Sequence, residues 1–221
     1  MSAGSATAAS GARSTWLVAQ DEPPTKRGRD TRQRLLEAAA ELFATKAYHQ
    51  VAVADIAPES GVAVGSFYRY FENKEELFLV LFSDVCWGMY TSVQGRWDEG
   101  RDLLANLVDV TQAYLESWYE RRGFLAAAFE VMHVTPQARE MWWAMRHDLQ
   151  QQMARQLEDA GGSLRFDPGP ELTTATRALG AMVEQYARSA YVEEEYGPPS
   201  GERVADDARV LAEIWLEGVG L

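Results

Sequence analysis

Apolar residues recur along most of this chain with the spacing of a helix face rather than of a strand. Leu35, Leu36, Ala39, Leu42 and Phe43 form one stripe at offsets of 0, 1, 4, 7 and 8. Asp30 or Thr31 stands where an N-cap is wanted, so the pattern predicts a first helix running to about Ala44. It breaks at Lys46-Ala47-Tyr48-His49-Gln50. A second, shorter helix is predicted from Val53 to Ser60, with Val53, Ile56 and Ala57 to one side. Gly61 closes it, because glycine accepts positive φ. A third helix covers Val64 to Phe71, with Phe67 and Phe71 four apart and turned inward. A supporting helix, a short helix, a turn glycine and another short helix make a helix-turn-helix arrangement.

No stretch beyond Asn73 reads as strand. A long helix is predicted from Lys74 to about Arg96, then another from Arg101 to Arg121 with Leu104, Leu107, Val108, Leu115 and Trp118 inward. Gly123 is expected to separate this from a short helix at Phe124 to Val134. Thr135 caps the next, with Pro136 at its favoured first position, and Gly161-Gly162 ends it. Asp167-Pro168 opens a further helix that closes at Gly197-Pro198-Pro199, and Ser200 caps the last. The fold class is therefore all-α, with about nine helices. Residues 1–25 are rich in Ala, Ser, Gly and Thr and are expected to be a disordered tail. Residues 26–76 form a three-helix head and residues 77–221 a helical body.

The stretch Gly61 to Lys74, GVAVGSFYRYFENK, concentrates the candidate chemistry. Val64, Gly65, Ser66, Arg69 and Tyr70 point outward from the third helix, with Tyr68 at its edge. Gly65 keeps the surface flat for close approach of another backbone. Ser66, Tyr68 and Tyr70 carry hydroxyls that can donate to phosphate oxygens, and Arg69 can pair with a phosphate or with guanine. Asn73 is a good N-cap with Glu76 three residues on, which places Lys74 at a helix tip, where free N–H groups favour anions. This combination points to gripping a nucleic-acid backbone while a short helix enters a groove.

Net charge qualifies that reading without removing it. The chain carries a formal charge of −12, unusual for a nucleic-acid binder. Residues 26–76 hold eight basic and eight acidic groups, whereas residues 77–221 hold 12 basic and 23 acidic ones, so the acidity belongs to the body. Lys26, Arg27 and Arg29 cluster just before the first predicted helix, as either a basic arm for DNA or a solvated linker.

From Thr31 to about Phe82 the sequence resembles the N-terminal domain of TetR-type transcriptional regulators. TRQRLLEAAAELF, Tyr48, Asp55 to Ala57 and GVAVGSFYRYFENKEEL carry the likeness. The resemblance implies a homodimer on a double-stranded DNA operator, and a C-terminal body that binds a small effector and dimerises. It puts Val64, Gly65, Ser66 and Arg69 in or over the major groove, and Tyr68, Tyr70 and Lys74 on phosphates. Ala47, Ala52 and Ala63 depart from the family's usual glycine and Ser/Thr caps, each lost cap costing about 1 kcal/mol. Pro58 is expected to shorten or distort the second helix. Ala54, where many relatives carry arginine, thins direct base reading.

The body is rich in aromatic and Met side chains, and isoleucine occurs only at positions 56 and 214. Core packing is one reading. A lipophilic cavity walled by Trp87, Tyr114, Trp118, Phe129, Met132, Trp142, Met145, Met182 and Tyr186 is the other. Trp142-Trp143 and Ile214-Trp215 give the body a looser resemblance to ethionamide-resistance-type repressors, which implies an elongated apolar tunnel. Glu130 and Glu184 are its candidate polar groups. Leu172, Ala175, Leu179, Met182, Tyr186 and Ala190 form one apolar seam, and Val204, Ala208, Leu211 and Trp215 another. They pack inside one chain or, as the resemblance implies, pair with their copies, with Leu172, Leu179, Leu211 and Trp215 as the dimer contacts.

An enzyme is disfavoured: there is no Gly-rich phosphate loop, no GxSxG elbow and no HExxH. His49, His133, His147 and Cys86 lack metal spacing, and no cofactor or metal is expected. A lone cysteine, no secretory pattern and no long apolar run predict a cytoplasmic protein without a membrane partner. A helical protein-interaction module is the remaining rival.

Overall fold

The computed structural model describes residues 23–160 and 169–219, and among these every regular element is helical. Eight α-helices run α1 Lys26–Thr45, α2 Val53–Glu59, α3 Val64–Phe67, α4 Lys74–Ser92, α5 Leu103–Val134, α6 Pro136–Ala160, α7 Pro170–Ala187 and α8 Gly201–Val219. A 3-10 turn at Tyr48–Gln50 precedes α2, and a π turn at Arg188–Val192 follows α7. Residues 1–22 of the expected 1–25 tail, the stop at Gly161-Gly162 and the start at Asp167-Pro168 lie outside the described residues.

Three expectations are corrected. Helix α1 starts five to six residues early, because Thr25 caps it by accepting the Gly28 N–H at 3.1 Å. Gly123 does not divide α5, which runs unbroken for 32 residues, so the described residues hold eight helices where nine were expected. The glycine serves packing: a Cβ there would fall 1.9 Å from the Ala44 carbonyl oxygen at the end of α1. Helix α3 spans one turn, not the two expected. The residues after it stay wound by Arg69 N–H to the Ser66 carbonyl at 3.3 Å and Tyr70 N–H to the Phe67 carbonyl at 2.9 Å.

By contacts the chain divides into two compact units. The first holds Met1–Trp87 with Arg121–Ala144, and the second Gly88–Glu120 with Met145–Leu221. Aromatic rings build the first core. Phe78 and Phe124 stack with centroids 5.0 Å apart, Phe43 meets Phe78 edge-on at 5.0 Å, and Phe82 stacks on Trp142 at 6.1 Å. Leu35, Ala39, Ile56 and Phe67, all fully buried, hold α1, α2 and α3 together.

In the second unit Leu107, Leu115, Trp118, Met145, Leu157 and Leu172 are fully buried. Helices α7 and α8 pack against each other, with Gly218 so near that a Cβ would meet Leu179 at 3.2 Å. The Tyr191 hydroxyl donates to Asp207 Oδ2 at 2.8 Å, and burial, then this bond, push its pKa up.

Candidate nucleic-acid interface

The helix-turn-helix is assembled by short-range bonds that replace the missing caps. Ala52 has no capping side chain, yet its own N–H donates to Asp55 Oδ2 at 2.8 Å. Pro58 lies exposed near the end of the short α2. Gly61 takes a φ of +70°, which turns the chain and lets the Val62 N–H reach the Ala57 carbonyl at 2.9 Å. Arg34 of α1 reaches the Ser60 carbonyl at 3.3 Å and ties down the end of α2.

Phe67 and Phe71 are buried, and this fixes which way α3 and its following turn face. Val64, Gly65, Tyr68 and Arg69 are exposed, with Ser66 and Tyr70 half-buried beside them. Tyr68 is 57% exposed although its ring packs edge-on to Phe67 at 5.4 Å, so the hydroxyl is presented on a braced ring. A Cβ at Gly65 would meet nothing within 4 Å, leaving open space for a close backbone. The result is a contiguous ridge of one arginine, three hydroxyls and a flat glycine. It can donate to phosphates and meet base edges.

Two predicted contacts are placed differently. Lys26, Arg27 and Arg29 form no arm ahead of the first helix. They are exposed on the first turn of α1, where Arg29 Nη1 donates to the Pro23 and Pro24 carbonyls at 3.1 and 3.2 Å. Asn73 caps α4, with the Glu76 N–H donating to Asn73 Oδ1 at 2.8 Å. Lys74, however, turns inward. Its Nζ donates to the Tyr48 and Val51 carbonyls at 2.7 Å each and lies 3.9 Å from the Tyr48 ring centroid. Burial lowers its pKa, partly offset by Glu130 and Asp55. The ammonium spends two of its donors on backbone inside the protein.

The predicted cavity residues divide sharply. In the first unit, Trp142 is buried between Phe82 and Phe129 as core, and Trp87 and Met132 are half-buried. The neighbouring Trp143 is exposed under Arg139. In the second unit, Trp118 and Met145 are packed core, and Tyr186 stacks on Tyr196 at 6.1 Å. A cavity of about 90 Å³ does open in the second unit, and of the predicted walls it uses Tyr114. Its apolar lining includes Val93, Val110, Leu149, Met153, Val183 and Trp215. Glu184 lines it as expected, ion-paired with Arg146, whereas Glu130 lies in the first unit, bonded to Tyr48 and His49.

Five of the cavity side chains that sequence reading missed share one face of α6: Arg146, Leu149, Gln150, Met153 and Gln156. Their steps of three, one, three and three were a legible signal. Polar side chains at Arg146, Gln150 and Gln156 mask it in a reading of apolar spacing. Among the predicted dimer contacts, Leu172, Leu211 and Trp215 are at most 6% exposed within the chain itself, which leaves them almost nothing to bury against a copy. Leu179 packs on Gly218. Val210 and Ile214, on the other face of α8, are exposed instead. Among the described residues no His/Cys/Asp/Glu group could hold a metal ion, and no helix is long and apolar enough to cross a membrane.

Comparison with known proteins bears on this geometry. Residues 35–81 match the family model for bacterial regulatory proteins, tetR family. Over 59 residues the chain is 41% identical to the fatty acid metabolism regulator protein of Bacillus subtilis, covering 27% of this chain and 30% of that one. Over 197 residues and 87% of each chain it is 23% identical to the HTH-type transcriptional regulator EthR of Mycolicibacterium smegmatis. The solved structure of the fatty acid degradation regulator FadR from Bacillus halodurans is similar in fold. Its TM-score is 0.68 at 16% identity, covering 86% of this chain and 96% of that one. The match spans about 30% of the length of the first two curated relatives.

Proposed function

We propose that the chain is a regulator of the tetR type, whose family model its residues 35–81 match, and that it is a cytoplasmic repressor released from a DNA operator by a small apolar effector. The observation that carries the DNA half is the exposed ridge from Val64 to Tyr70 with open space over Gly65. In this reading Tyr68 and Tyr70 hold phosphates, while Ser66, Arg69 and apolar contact by Val64 share base reading. Lys26, Arg27 and Arg29 add sequence-independent attraction from the first turn of α1. Two copies are needed to read half-sites about 34–36 Å apart. The exposed Val210 and Ile214 on α8, with Ala178 and Ala181 exposed on α7, offer an apolar face for that pairing.

The effector half rests on the cavity in the second unit. Its walls are mainly apolar, with the Arg146–Glu184 pair at their polar side. Ligand sites usually measure about 300–1,000 Å³, so a drug-sized effector requires this one to widen. That suits release by population shift: the ligand prefers a widened state that grips DNA poorly. The names of two similar proteins, regulators of fatty acid metabolism and degradation, favour an acyl or similarly lipophilic effector. A ligand-responsive activator shares this machinery and differs in the transcriptional outcome.

Selection of duplexes from a randomised library by the purified chain supplies an operator probe. Medium-chain and long-chain fatty acids and acyl thioesters are then titrated against the complex. Release of the duplex at fixed salt supports the reading. An apolar compound that binds the protein but leaves duplex affinity unchanged contradicts it.

A further inference from the structure

Between α1 and α2 the chain crosses a short link, Ala47 to Val51, that has little structure of its own. Its 3-10 turn keeps three internal bonds: Gln50 N–H to the Ala47 carbonyl at 3.0 Å, Val51 N–H to the Tyr48 carbonyl at 3.3 Å, and Ala47 N–H to Gln50 Oε1 at 3.3 Å. Two charged side chains from remote parts of the first unit supply the rest. From α5, Glu130 accepts the Tyr48 N–H on Oε2 at 2.9 Å and the His49 N–H on Oε1 at 3.3 Å. The same Oε1 lies 2.5 Å from His49 Nδ1. From the tip of α4, Lys74 takes the Tyr48 and Val51 carbonyls. Donors and acceptors of one link are thus held by opposite charges from two other helices.

We propose that Glu130 is a positioning residue for DNA binding: it holds the Tyr48–Gln50 turn and so fixes where α2 and α3 present their ridge. This rests on the DNA-binding reading above. Helix α2 begins two residues after the turn, and its cap, Ala52, brings no side chain to anchor it. Helix α2 packs on α3, so a shift of the link moves the pair together. The Tyr48 ring is wedged between Phe43 at 5.7 Å, Phe78 at 5.1 Å and the Lys74 ammonium, which gives the turn a fixed seat once its backbone is held. Glu130 is also suited to holding charge: burial raises its pKa, but the bonds from His49 and Tyr48 outweigh burial and leave it lowered. Sequence reading placed Glu130 in the effector cavity because it lies among aromatics on α5. Instead it reaches 81 positions back along the chain to His49.

The test compares wild type, Glu130→Ala, Glu130→Gln and Thr135→Val on a duplex enriched from a randomised library by the wild-type chain. Thr135 donates to Glu75 at 3.1 Å in the same unit without touching the turn, so it reports general loss of bonding there. Glu130→Ala is expected to lose about tenfold or more in duplex affinity. It should also raise hydrogen exchange at the Tyr48 and His49 amides. Glu130→Gln keeps one acceptor oxygen and should fall between Ala and wild type, while Thr135→Val should bind as wild type does. If Glu130→Ala does not fold, the Gln variant decides: reduced affinity with faster exchange at those two amides supports the proposal, and wild-type behaviour overturns it. Equal duplex affinity in wild type and Glu130→Ala also overturns it, leaving the DNA-binding reading intact. A wild-type chain that enriches no duplex sinks both.

Discussion

The ridge over α3 and the cavity of the second unit, the two proposed binding sites, are built in opposite ways. The ridge lies within eight consecutive positions, Val64 to Phe71, whose polar side chains turn outward from two buried phenylalanines. The cavity draws on α5, α6, α7 and α8 and on Val93 just past the end of α4, and its walls are mainly apolar around the Arg146–Glu184 ion pair. A surface that grips phosphate needs exposed donors on a firm base, and a local stretch can supply both. A space that admits an apolar ligand needs walls from several helices and must be able to change volume. The first therefore loses function one contact at a time, and the second through packing.

Substitutions at glycines and at one ridge hydroxyl separate these modes. The largest effect is expected from Gly123→Ala, whose methyl would enter the Ala44 carbonyl. Overpacking against backbone should cost about 3 kcal/mol, lowering the melting temperature by roughly 6–12 °C. A melting curve unchanged from wild type would mean that α1 and α5 are not held so closely. Next comes Gly180→Leu at the cavity wall, where a Cβ meets only the Gln150 side chain at an ordinary 3.7 Å. Stability should hold or rise by up to about 1 kcal/mol, since glycine is a poor helix former. The proposed ligand-driven release, for which allosteric couplings are typically about 5–150-fold, should vanish while duplex affinity stays the same. Release that survives the substitution would move the effector site elsewhere. The smallest is Tyr68→Phe, which removes one phosphate donor from an exposed ring. Duplex affinity should fall about fivefold for every sequence, with no change in melting. A change in sequence preference would instead make Tyr68 a base reader.

The same contrast governs what could be read from the sequence. The head was legible because its signals are local: the Phe67 and Phe71 pair, the Gly61 turn and the Asn73 cap all act within a few residues. Two of its features were not. Thr25 capped a helix that the basic cluster at Lys26 to Arg29 had disguised as a linker, since three cations in a first turn are unfavourable company for a helix dipole. Lys74 was assigned to an outside anion because its inside partners, the Tyr48 and Val51 carbonyls, are more than twenty residues away. Burial of single aromatics was no more legible, in either unit. Trp118 and Trp142 look identical to cavity walls in a composition count, and only their neighbours make them core. The apolar seams of α7 and α8 were real, but Leu172, Leu211 and Trp215 are used up inside one chain.

The central claim is that the ridge from Val64 to Tyr70 grips DNA, and its most direct test is the salt dependence of duplex binding. Anisotropy titrations of a library-selected duplex across a series of salt concentrations should give log affinity falling linearly with log salt. The slope should be set by the phosphates contacted, at about 0.9 per contact. Tyr68→Phe should weaken binding by the same factor at every salt concentration, whereas Arg69→Ala should flatten the slope if that cation neutralises a phosphate. Binding that ignores salt, or affinities unchanged by both substitutions, would contradict the account.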